Sequence, residues 1–301
     1  EKIGNAVVET EHTPNGIYSA ELGEGEKKQQ DSLAVFTIEN KDGEKETWSI
    51  IADGVSNSKD GAKASSRLIA IVEEKLRSGL DIKTAILTTA QEFSDEIDRS
   101  FLELTDENTK PKKIDILGSG EDNPINATTL VAIKTNENGT ATAYQLGDGQ
   151  VYLSRARNRN ALEKIQDNKM LEVNITQEKE DYNNEIMRQL RSVAGGAIKG
   201  KIDLVNLYTK GKIDFTGRSD SLKKYLDQLT RGVKLENLPM RVQEVLSSFS
   251  ESPSVQTDKL REIPLGELKP GDVFIACSDG IENNILSEEI IKIIQYALKK
   301  S

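Results

Sequence analysis

The chain has 301 residues, of which 40 are Lys or Arg and 50 are Asp or Glu, so its net charge at neutral pH is −10. That balance argues against a nucleic-acid binder, whose affinity rests on cations set against phosphates. One cysteine, Cys277, excludes an internal disulfide and any thiolate metal cluster, and one histidine, His12, argues against histidine triads and histidine metal cages. Any catalysis therefore falls to carboxylates, amines or hydroxyls. No apolar stretch approaches the roughly 18 residues of a membrane helix, so no membrane insertion is expected. The opening Glu1-Lys2-Ile3-Gly4-Asn5 lacks a signal-peptide core, and a cytoplasmic location is expected.

Leu33–Ile38 and Thr47–Ala52 are β-rich runs joined through Lys41-Asp42-Gly43, which predicts a hairpin. After Asp53-Gly54 the period changes. Ala64, Leu68, Ile71, Val72 and Leu76 recur at helical spacing with Gly79 as the stop, and Ile82, Ile86, Ala90, Phe93, Ile97 and Phe101 form the stripe of a second helix. Residues 105–126 read as a polar loop. Strands follow at Thr129–Ile133, Thr140–Leu146 and Val151–Leu153, which together predict an antiparallel meander turning at Asn138-Gly139 and Gly147-Asp148-Gly149. Arg155, Arg157 and Arg159 read as a solvated edge. Residues 156–255 are charged, weakly periodic and broken by glycines, and read as a mostly helical insertion within a single domain spanning 1–301. A buried strand is predicted at Val273–Cys277, ending in Ser278-Asp279-Gly280, and Ser287 is the expected cap of a last helix.

Asp-Gly occurs five times, and a turn dipeptide explains Asp42-Gly43 and Asp60-Gly61. Asp53-Gly54 and Asp279-Gly280 differ, because each ends an apolar strand and leads into polar residues and a helix. Asp148 reads equally as a turn residue or as a third acid at a strand mouth. Acids at strand ends suit Mg²⁺ or Mn²⁺, which take carboxylate, carbonyl and water oxygens. A glycine beside the acid lets the backbone carbonyl approach the ion.

Gln29-Gln30-Asp31-Ser32, Ala52-Asp53-Gly54-Val55 with Gly61 and Ala64-Ser65, Ala127-Thr128-Thr129-Leu130, Gly147-Asp148-Gly149, and Gly271-Asp272 leading to Cys277-Ser278-Asp279-Gly280-Ile281 occur in this order. In that order they resemble the motifs of the metal-dependent type 2C Ser/Thr protein phosphatases, the PPM family. The resemblance implies an α+β fold, a four-layer αββα sandwich of two antiparallel sheets flanked by helices, with two or three Mg²⁺ or Mn²⁺ ions at one edge. It further implies that Asp53 bridges two ions, the Gly54 carbonyl binds one, Asp279 another, Asp148 with Asp279 a labile third, and that Asp31 orients water. For Asp31, a turn residue opening a strand is the competing reading. The implied activity is hydrolysis of phosphoserine and phosphothreonine on proteins by a bridging hydroxide, with a phosphorylated protein as the partner and a monomer as the acting unit.

Some positions depart from the pattern. Glu26 stands where a phosphate-binding Arg is usual, and Lys27 and Lys28 either take its place as point charges or belong to a solvated loop. Gly149-Gln150 replaces the usual Ser-Arg, and an Asp-Asn pair expected on a final strand has no match in the residues after Gly280. These departures favour a second reading, a pseudophosphatase acting as a binding or regulatory module. The intact Asp53, Gly54, Asp148 and Asp279 oppose it.

Overall fold

The structure is a computed structural model that describes residues 2–3, 6–7, 30–55, 58–103, 125–155, 163–164, 198–213, 220–270 and 272–278, with helical positions at 289, 292, 293 and 296. Two short strands, β1 (Lys2–Ile3) and β2 (Ala6–Val7), pair with each other. The hairpin predicted from sequence is β3 (Asp31–Glu39) and β4 (Lys45–Asp53), antiparallel in unbroken register. Beyond β5 (Ala127–Thr128), β6 (Leu130–Asn136) adds to β4 and β7 (Thr140–Leu146) adds to β6.

Alternation assigns the faces of this sheet. Phe36, Ile38, Trp48, Ile50, Ala52, Leu130, Ala132, Tyr144 and Leu146 point one way and share a core with Leu68, Val72, Leu76, Ile86, Ala90 and Phe93. Those last six belong to α1 (Gly61–Arg77) and α2 (Ile82–Glu103), so two helices cover that face. Trp48 stacks on Tyr144 with ring centroids 5.6 Å apart. Burial, with Glu262 alongside, pushes the Tyr144 hydroxyl up to about 12. The helix α1 begins where a plain turn is the sequence expectation: the Asp60 side chain accepts from the Lys63 N–H and caps it.

The meander ends one strand early. β8 (Gln150–Ser154) leaves the first sheet and pairs instead with β9 (Glu163–Lys164) and with β12 (Val273–Cys277), in the order β12-β8-β9. Gly147, at a φ of +110°, turns the chain beneath the first sheet. There Val151 packs on Val131, Ile133, Ala141 and Ala143, the face opposite the helices. The two sheets therefore lie face to face, and β8 is buried along its whole length. The strand β12 is only half-buried over Val273–Ala276, less than the sequence reading implies. The fold is α+β, with a helix layer, a five-stranded sheet and a three-stranded sheet among the described residues. Most of the helix expected after Ser287 lies outside them.

The fifth strand of the first sheet, β11 (Arg261–Glu267), pairs with β7 and went unpredicted. Pro264 and Gly266 conceal it, and the register shifts between them. Proline is tolerated here because β11 is an edge strand, where an N–H facing solvent is not missed.

From 156 to 258 the described residues include β10 (Ile198–Lys199), α3 (Leu204–Thr209), α4 (Asp220–Thr230), α5 (Met240–Ser250) and α6 (Pro253–Asp258). Their own apolar core, built on Leu226, Val242, Leu246 and Phe249, also takes in Ile97 of α2, Ile125 and Ala127, with Val55 packed against it. The helical lobe is thus seated on the residues that flank Asp53 and Gly54.

Arg155 is not a solvated edge. It donates to the Leu265 carbonyl at 2.7 Å, the Glu267 carbonyl at 3.1 Å and Asp272 Oδ2 at 3.0 Å, tying the end of β8 to β11 and to the start of β12. The Asp272 side chain is only 4% exposed, and although its Oδ2 also accepts from the Lys269 N–H at 3.0 Å, removing the arginine takes the compensating charge from a buried carboxylate. Arg155→Ala is expected to cost about 3 kcal/mol of unfolding free energy. Urea denaturation checks it, and a loss below about 0.5 kcal/mol would place the pair with ordinary surface contacts.

Candidate active site

The site is built at one end of the first sheet. Asp31 opens β3 and stands directly opposite Asp53, which closes β4. The Gly54 N–H donates to the Gln30 carbonyl at 3.2 Å, which makes Asp31 and Asp53 a pair without mutual backbone bonds, the kind whose side chains approach most closely. By alternation both carboxylates leave the face away from the helices, at the rim between the two sheets. Like charges set opposite one another are destabilising unless a cation compensates them.

The backbone of Asp53 is clamped. Its N–H donates to Thr129 Oγ1 at 3.2 Å, and its carbonyl accepts from the Thr129 N–H and from Thr128 Oγ1, each at 2.8 Å. Gly54 then forms an isolated antiparallel bridge with Thr128. The bonds of that bridge run through the Val55 N–H to the Ala127 carbonyl and the Thr129 N–H to the Asp53 carbonyl, so this ladder does not use the Gly54 carbonyl. Gly54 also lies against the start of α1. A Cβ there would fall 2.0 Å from the Gly61 carbonyl oxygen and 2.8 Å from that of Gln30, so only glycine fits.

The segment leading into Asp31 is fixed from α1. Ser65, fully buried, donates to the Gln30 carbonyl at 2.6 Å and lies 2.9 Å from Ser32 Oγ. The Asp31 carboxylate is met from the second sheet: Ser278, next after β12, donates its hydroxyl to Asp31 Oδ2 at 2.9 Å. Ser278 immediately precedes Asp279, so the strand end leading to Asp279 reaches the same rim.

Asp148 sits in the turn where the chain passes from the first sheet to the second, directly after Gly147, which lies against Thr129 and hence near the Asp53 clamp. All three carbonyls of that turn are engaged: the Gln145 amide donates to Gly149 and, at 3.5 Å, to Gly147, and the Gln150 amide donates to Asp148 at 2.9 Å. Gly149 has no room for the serine that the resemblance expects, since a Cβ would lie 2.5 Å from Val131 Cγ2 and 3.2 Å from the Cys277 carbonyl. Gln150 in place of arginine serves the turn itself.

Asp31, Asp53, Gly54 and Asp148 thus lie at one end of the sheets, while Lys27, Lys28, His12 and Asp279 lie outside the described residues. Among the described residues no group of three His, Cys, Asp or Glu side chains is arranged to hold an ion. The donors present are oxygens, the kind that Mg²⁺ and Mn²⁺ take. Thr128, Thr129, Ser65 and Ser278 stand within the motifs, but nothing in their residue type or spacing assigns them a role. Gln145 carried no signal at all.

Two face-to-face antiparallel sheets, helices on one outer face and paired aspartates at the rim define a class of α+β proteins with an acidic edge site. The chain belongs to the protein phosphatase 2C family, whose model matches residues 24–298. It is similar in structure to the S. agalactiae serine/threonine phosphatase, at 15% identity and a TM-score of 0.42 over 91% of this chain and 83% of that one. It is also similar to the Mycobacterium tuberculosis serine/threonine phosphatase PstP/Ppp, at 16% identity and a TM-score of 0.43 over 91% of this chain and 81% of that one. A stage II sporulation E family protein from Thermanaerovibrio acidaminovorans matches at 18% identity and a TM-score of 0.31, over 44% of this chain and 52% of that one. No curated protein matches the chain significantly.

Proposed function

We propose that the chain hydrolyses phosphoserine and phosphothreonine on proteins with the help of Mg²⁺ or Mn²⁺. Family membership supports the reaction class, and the observation that carries the site is the Asp31–Asp53 pair, two acids directly opposite at the sheet rim. In this reading Asp53 and the Gly54 carbonyl hold the metal with Asp279, and Asp148 serves a further ion. Bound there, the metal supplies Lewis acidity that lowers the pKa of water and offsets charge at phosphorus.

The chain's own residues do the rest. The threonine clamp on Asp53 holds its backbone without spending the carboxylate. Asp31 orients water and accepts its hydrogen bond, and Lys27 and Lys28 meet the phosphate as point charges. The helical lobe, seated beside Val55, selects the phosphorylated partner and takes no part in the chemistry. Hydrolysis of p-nitrophenyl phosphate by the full chain should require added Mn²⁺ or Mg²⁺ and stop with EDTA. Turnover that persists in EDTA would overturn the metal-dependent reading, and no turnover with any divalent metal would favour a pseudophosphatase.

A further inference from the structure

We infer that Ser278 is a positioning residue that sets the orientation of the Asp31 carboxylate for the metal site, an inference that rests on the function proposed above. The backbone around Asp31 is already fixed, because the Gln30 carbonyl accepts from both the Gly54 N–H and Ser65 Oγ. What remains free is the side chain, which turns about two torsions. The Ser278 hydroxyl removes that freedom by donating to Oδ2 at 2.9 Å from a position that is itself only 8% exposed. With Oδ2 engaged, Oδ1 is the oxygen left to serve an ion or its water.

The identity of the donor matters as much as its place. A lysine or arginine in contact with Asp31 would cancel the negative charge that attracts a cation. A hydroxyl orients the carboxylate and leaves its charge intact. The bond also spans the two sheets. Asp31 begins β3 in the first sheet, whereas Ser278 follows β12 in the second and directly precedes Asp279, so one hydrogen bond ties the placement of Asp31 to the strand end that carries another proposed ligand. Groups that orient metal ligands in this way typically change affinity or activity about 10–100-fold when removed.

The test is Mn²⁺ titration calorimetry on the full-length wild type, Ser278→Ala, Ser278→Thr, Asp31→Ala and the Ser278→Ala/Asp31→Ala double variant, with p-nitrophenyl phosphate kinetics alongside. Ser278→Ala should weaken Mn²⁺ binding about tenfold and lower kcat with little change in KM. Ser278→Thr, which keeps the hydroxyl, should bind within about twofold of wild type, and Ser278→Ala should cost little once Asp31 is gone. Unchanged affinity in Ser278→Ala, an equal loss in the Thr variant, or the same loss with and without Asp31 would each overturn the positioning role while leaving the metal site standing. A wild type that takes up no Mn²⁺ would instead overturn the metal reading, and this inference with it.

Discussion

Asp53→Asn is expected to lower metal-dependent turnover of p-nitrophenyl phosphate by on the order of a thousandfold, a barrier increase of about 4 kcal/mol, and to leave the fold intact. The separation of these effects follows from the clamp. Thr128 and Thr129 hold the backbone of Asp53, and none of those three bonds involves its carboxylate. Asparagine keeps the shape and the backbone bonds and loses the charge. Because Asp31 stands directly opposite, the variant also loses one of two facing like charges, which offsets what the other interactions of the carboxylate contribute, and the melting temperature without metal should change little. Turnover within tenfold of wild type would remove Asp53 from the chemistry.

Gly54→Ala is expected to have the largest effect on stability. Its new Cβ would meet the Gly61 carbonyl oxygen at 2.0 Å, the Gly61 carbonyl carbon at 2.3 Å and the Gln30 carbonyl oxygen at 2.8 Å. All three are backbone atoms, so no side-chain rotation relieves the clash. Either the first turn of α1 or the entry to β3 must move. Overpacking ordinarily costs 1–3 kcal/mol, and a clash this deep should cost about 3 kcal/mol or more. Whichever element shifts, Asp53 or Asp31 shifts with it, so Mn²⁺ binding should fall as well. Urea denaturation with parallel calorimetry checks both. Wild-type stability in Gly54→Ala would mean that α1 and β4 do not approach as closely as described.

The parts of this molecule legible in the sequence are those with a period or a dipeptide signature. Strands β3, β4, β6 and β7 and helices α1 and α2 announce themselves through alternation or helical spacing, because each buries one face against the same core. Asp53-Gly54 was legible for a related reason: an acid that follows six β-rich residues and precedes a helix cannot be closing a tight hairpin. The passage of β8 into the second sheet was not legible, since a short strand after Gly147-Asp148-Gly149 has the same pattern whether it pairs with β7 or dives beneath it. Pro264 and Gly266 hid β11, because local propensity says nothing of an edge position that forgives both.

The supporting hydroxyls and amides were hidden for a different reason. Ser65 and Ser278 act on a segment hundreds or tens of positions away, Ser278 across 247 residues, and a small polar residue has no periodic signature that reports its partner. Within the candidate site the acids were therefore readable and the groups that aim them were not.

Whether Asp53 holds a metal is decided by a calorimetric titration of Mn²⁺ into the full chain and into Asp53→Asn under identical conditions. Saturable binding by the wild type is expected, weakened about tenfold or more by the loss of one carboxylate charge. Equal affinity in the two proteins would contradict a metal at Asp53.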